Sequence, residues 1–172
     1  MSLNVELLEQ SFERIKPCAD EFAASFYENL FAAHPEVRPL FATTEMQKQR
    51  KMLLNALVLV VQNLRNPEVL GQVLNSLGAR HVGYGAIPQQ YPAVGKALLQ
   101  TFEEYLEDDW TPELKKAWTD AYGSITALML QGAGVVRTAE DRSPPETSDR
   151  PATTPATVKA KTPVPEAAKT KV

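Results

Sequence analysis

Apolar residues recur every third or fourth position along most of this chain, and no long apolar–polar alternation or Asn-Gly or Asp-Gly hairpin signal interrupts them. That periodicity selects helices that each bury one face, which restricts the fold to an all-α packing. Leu8, Phe12 and Ile15 mark a first helix, which should end before Pro17 because a pre-proline residue avoids the α region. Phe22, Phe26 and Leu30 mark a second, closed by His34-Pro35, and a short helix or turn carries Val37, Leu40 and Phe41. From about Gln47 to Leu64 a helix starts polar and becomes almost wholly apolar, the pattern of a helix buried on several sides. Asn66-Pro67-Glu68 supplies a cap, a first-turn proline and an acid for the positive end of the next helix dipole. Gly83, Gly85 and Pro88 punctuate its end. Tyr91, Val94, Leu98, Phe102 and Tyr105 form the following stripe, and Thr111-Pro112-Glu113 opens a last helix through Leu114, Trp118, Ile125 and Leu128.

The length of 172 residues suits one compact domain with some chain left over. Around Arg137 the composition turns to Pro, Thr, Ala and Lys without any aromatic residue. Such a segment cannot bury enough apolar surface to offset its ordering entropy. The expectation is a folded domain over 2–136 and a disordered, solubilising tail over 137–172. A net charge of −3 gives no basic footprint for nucleic acid. Cys18 is the single cysteine, which excludes an internal disulfide and a thiolate cluster and reads as a small residue at a helix start. No basic flank and apolar block suggest a signal peptide at the start. The longest apolar run, Leu53 to Val61, is broken by Asn55 and falls short of the roughly 20 residues of a membrane span. A cytoplasmic protein with neither membrane nor nucleic-acid partner is expected.

Candidate chemistry centres on His81. Leu70, Leu74, Leu77 and His81 recur at helical spacing, so the imidazole points where the leucines point. Taken alone, this is a core histidine bonded to a backbone carbonyl, and the carbonyl of Leu77 lies one turn earlier. Tyr27 borders the Phe26–Leu30 stripe, where a ring in the core with its hydroxyl reaching outwards is the ordinary reading. Gln49 lies one turn before Leu53.

Six fragments change the weight of these positions: FYENLF (26–31), HPEVRPLF (34–41), QRKMLLNAL (49–57), ARHVGYG (79–85), QQYPAVGKALL (89–99) and AWTDAYG (117–123). In this order and spacing the chain resembles the globin family, most closely bacterial single-domain globins related to the haem domain of flavohaemoglobins. The resemblance implies a three-over-three helical globin fold around haem b. His81 falls on the family's proximal iron ligand, Tyr27 on its distal tyrosine and Gln49 on the polar residue of the opposite distal helix. Leu53 caps the ligand pocket in this reading, and Phe41 packs on the haem face. Leu77, Tyr91 and Val94 are counted among the residues around the cofactor, and Arg80 as a partner for a haem propionate. His34 is placed in a loop with a surface or capping role, leaving no second histidine for the iron.

One departure stands out. In flavohaemoglobins a tyrosine and a glutamate accompany the proximal histidine. Tyr91 matches the tyrosine, whereas counting from AWTDAYG sets the glutamate's place on Val135, which cannot polarise an imidazole. No reductase segment follows in the sequence. The implied function is reversible binding of dioxygen, carbon monoxide and nitric oxide with slow oxygen release, for storage or transport. Two alternatives stay open: nitric oxide dioxygenation with an external reductase, and a gas sensor or haemless globin-fold interaction protein.

Overall fold

A computed structural model describes residues 3–141, with the helix backbone alone described for 135–141. Among these residues there are six α-helices and no strand: α1 Val5–Ile15, α2 Ala19–Ala33, α3 Met46–Gln62, α4 Pro67–Gly83, α5 Tyr91–Leu106 and α6 Pro112–Asp141. Short 3-10 turns at Lys16–Cys18, Pro35–Phe41, Pro88–Gln90 and Glu107–Asp109 join them. Side chains fix several helix starts. Asn4 Oδ1 accepts from the Leu7 amide at 3.3 Å, Asn66 Oδ1 from Val69 at 3.3 Å and Thr111 Oγ1 from Leu114 at 3.2 Å, each satisfying an amide the first turn leaves unpaired. The backbone of α6 continues past Arg137 to Asp141. The rest of the expected tail, from residue 142 on, lies outside the described residues.

The core forms where α1, α2, α5 and α6 meet. Phe102 lies between Phe22 and Trp118, with ring centroids 4.9 and 4.2 Å away. Trp118 Nε1 donates to Ser11 Oγ at 3.0 Å, and Ser11 Oγ donates on to the Leu8 carbonyl at 3.0 Å. The buried indole and hydroxyl are thereby satisfied. Asn29 Nδ2 donates to Thr101 Oγ1 at 3.1 Å, and Ser25 and Tyr105 share a bond at 2.9 Å, fastening α2 to α5.

The second half of α3 departs from the expectation of burial on several sides. Leu57, Val60 and Val61 are buried, but Leu59 is 40% exposed. The reason lies in its neighbours: α3 packs on α2 and α1, and α4 does not close the other side. Instead, α4 has one extensive partner among the described helices, α6. The crossing is unusually close. A Cβ on Gly78 would stand 1.8 Å from the Met129 carbonyl oxygen, and one on Gly132 1.9 Å from that of Asn75. The pairing of Gly78 with Met129 and of Asn75 with Gly132 makes α4 and α6 antiparallel.

Candidate functional site

The stripe on α4 leaves the core as it approaches His81. Leu70 and Leu74 are buried, whereas Leu77 and His81 are only half-buried. His81 Nδ1 lies 2.9 Å from the Leu77 carbonyl, which can only accept, so Nδ1 carries the proton. Burial pushes the imidazole pKa down; the Leu77 bond opposes that, and the neighbouring Arg80 charge reinforces it. A neutral ring protonated on Nδ1 presents the lone pair of Nε2, the arrangement suited to a metal. The rings of Tyr84 and Tyr91 flank it at 5.7 and 6.5 Å. Tyr91 is buried at the start of α5, and its carbonyl accepts from the Tyr122 hydroxyl of α6 at 2.6 Å. Burial, the leading cause, pushes the Tyr122 pKa up to about 12.

A second group gathers where α2 and α3 meet the Pro35–Phe41 turn. Tyr27 is buried among Phe26, Phe31 and Phe41, at centroid distances of 4.9, 5.9 and 5.7 Å. Gln49 Nε2 donates to Tyr27 Oη at 3.0 Å. The phenol oxygen therefore accepts from the amide and keeps its own hydrogen for another partner. Burial pushes the Tyr27 pKa up, and the Gln49 bond opposes this in part, so the hydroxyl stays protonated. Leu53, one turn beyond Gln49, and Phe41 are both half-buried.

The two groups approach each other through Leu40, whose Cδ2 lies 3.5 Å from the Cβ position of Gly85. Gly85 has φ +82°, a conformation suited to glycine, and turns the chain just after α4. Around this junction the apolar residues are incompletely covered by protein. Phe41, Leu53, Leu77 and Val94 are half-buried, while Leu40 and Ile87 are 39% and 47% exposed. No group of three or more His, Cys, Asp or Glu side chains among the described residues could hold a metal unaided. A metal at His81 Nε2 must therefore arrive with its other ligands, and a flat apolar group would cover the open leucine and phenylalanine surface. The residues fit haem.

Arg80 is exposed, and its charge acts beside the imidazole. His34 lies on the outside, its Nδ1 2.9 Å from Glu36. The side chain of Val135 lies outside the described residues, but the backbone register bears on its expected place. Gly78 meets Met129 and Asn75 meets Gly132, so His81 is level with residues near 126. Position 135 is nine residues, or about 13 Å, further along α6. The register does not set it beside His81. Sequence reasoning missed Phe31, Tyr122 and Gly78. Tyr122 stands within AWTDAYG, and Gly78 continues the Leu70–Leu74 spacing on the buried face of α4.

Comparisons with known proteins bear on the family and the fold. A model of the globin family matches residues 24–129. A flavohemoprotein of Rhizobium meliloti is 38% identical over 106 residues, covering 60% of this chain and 26% of the relative. One of Bacillus subtilis is 31% identical over 128 residues, covering 73% and 32%. The matched part of the chain thus spans about a quarter to a third of these relatives. Among solved structures, an engineered carbene transferase from Rhodothermus marinus superimposes with a TM-score of 0.72 at 25% identity, covering 80% of this chain and 96% of that one. A bacterial globin from Campylobacter jejuni gives 0.68 at 24% identity, covering 80% and 97%.

Proposed function

The chain belongs to the globin family and is a haem protein, and from that premise we propose that it binds dioxygen and related diatomic ligands reversibly and releases dioxygen slowly. In this reading His81 would hold the iron through Nε2, and Phe41, Leu53, Leu77, Tyr91 and Val94 would surround the cofactor. When bound, haem supplies an open iron position from which electron density passes to a diatomic ligand. The observation that carries the proposal is the bond from Gln49 to Tyr27. Because the amide occupies the phenol oxygen, the hydroxyl proton is directed to the polarised ligand. Hydrogen bonds to charged groups contribute about 1.5–3 kcal/mol, and each 1.4 kcal/mol is tenfold in affinity. Release of dioxygen should slow by roughly ten- to a hundredfold, while carbon monoxide, with little charge on its oxygen, gains less.

A second reading is nitric oxide dioxygenation with reducing equivalents from another protein, favoured by the relatives being flavohemoproteins. The same distal pair would serve it. The bond His81 makes weighs against it: a backbone carbonyl polarises an imidazole less than a carboxylate does. Turnover of nitric oxide by the oxygenated protein, with and without a generic reductase, separates the readings. Sustained turnover that needs the reductase would overturn simple oxygen carriage. For the assignment of the iron ligand, an unchanged Soret band in His81→Ala would be decisive against it.

A further inference from the structure

We infer that Gly78 is a positioning residue for His81, setting how the histidine helix stands against α6. The inference rests on His81 being the iron ligand. At Gly78 and at Gly132 the atom a methyl would meet is the carbonyl oxygen of the facing helix, 1.8 and 1.9 Å away. Backbone cannot swing aside as the end of a flexible side chain can. The two helices therefore touch main chain to main chain at two points, and these fix the placement of α4, which has no other extensive partner among the described helices.

The two points differ in what lies next to them. Gly78 directly follows Leu77, whose carbonyl orients the imidazole, and precedes His81 by less than one turn. Asn75, which meets Gly132, is nearly two turns from His81. Tyr91 takes its reference from α6 as well. Its carbonyl holds the Tyr122 hydroxyl, and a Cβ on Gly95 would stand 2.4 Å from the Tyr122 ring, so α5 is also seated closely there. The 6.5 Å spacing of the His81 and Tyr91 rings is thus set through one helix, and a methyl at Gly78 shifts the histidine side of it. A methyl at Gly132 presses on α4 at Asn75, its midpoint, one turn further from the histidine than Gly78 is.

The test uses the full haem-loaded chain with Gly78→Ala, Gly132→Ala and, as a control on the same helix, Gly71→Ala, where a Cβ meets nothing within 4 Å. Two quantities are read: the iron–histidine stretching band of the ferrous protein and the rate of haem transfer to apomyoglobin. Gly78→Ala should move the band and speed transfer at least about tenfold, equivalent to 1.4 kcal/mol. Gly132→Ala should lower the thermal midpoint by a few degrees with the band unmoved, and Gly71→Ala should leave band and transfer unchanged. The inference is overturned if both crossing variants lose stability with the band in place, or if both move it equally. It is also overturned if Gly78→Ala does not fold, since the contact would then be a packing requirement and not an adjustment of the ring. A wild-type protein without an iron–histidine band would refute the ligand assignment itself, a distinct outcome.

Discussion

If Gln49 acts on the bound ligand through Tyr27, the two side chains should behave as one unit, and a double-mutant cycle on oxygen release reads this directly. Tyr27→Phe keeps the ring among Phe26, Phe31 and Phe41 and deletes only the hydroxyl. It removes a bond of about 1.5–3 kcal/mol to a charged partner, so oxygen dissociation should rise roughly ten- to a hundredfold. Gln49→Leu removes the amide that holds the phenol oxygen at 3.0 Å. A bond between neutral groups contributes about 0.5–1.5 kcal/mol, so the rise should be roughly two- to tenfold. In the Tyr27→Phe background Gln49→Leu should then add less than about twofold, which makes the coupling nearly equal to the single effect of Gln49. Stopped-flow displacement of oxygen by carbon monoxide measures all four proteins, and carbon monoxide dissociation should change far less across the set. Effects that multiply independently would refute the relay and make Gln49 a separate donor to the ligand.

Other expectations concern stability. Glu107 follows α5 with φ +46°, a conformation an L side chain adopts only under strain, so Glu107→Gly should stabilise by about 1 kcal/mol and raise the thermal midpoint by a few degrees; an unchanged or lower midpoint would count against this. In the haem-free protein the depressed His81 pKa means that the unfolded chain binds the proton more readily. Stability should therefore fall as pH drops below the ordinary histidine value of 6.5, and urea titrations of His81→Leu should show a flatter dependence there. A chain ending at Arg142, the boundary of the compact unit Met1–Arg142, should keep its haem spectrum and midpoint, because residues 143–172 lack the composition for a packed core. Loss of several degrees would show that they dock on the domain.

The all-α globin fold was legible because local signals sufficed for it. Leu70, Leu74 and His81 share a face by spacing alone, and Asn66 and Thr111 cap the helices they precede. The incomplete burial of α3 was not legible, since composition shows how apolar Leu59 is but not that α4 lies elsewhere. Nor was the direction of the bond between Gln49 and Tyr27, residues 22 apart in sequence whose meeting is tertiary. The expected place of a proximal carboxylate at 135 came from counting along one helix, whereas the level of His81 on α6 depends on where two glycines let the helices cross. The strained Glu107 carries no turn residue to announce it.

The single-sided seating of α4 has a consequence for the life of the protein before it acquires its cofactor. Cooperative units open locally at a free energy set by their buried contacts, and α4 draws nearly all of its contacts from one crossing with α6. In the cofactor-free chain, amides over Pro67–Gly83 should exchange together, as one unit that opens when the crossing parts, and separately from the slower core around Phe102 and Trp118. A protease would then meet empty molecules at the histidine helix, and loaded ones would be shielded there by mass action. Cofactor supply would set not only the activity of this globin but also how many copies of it survive.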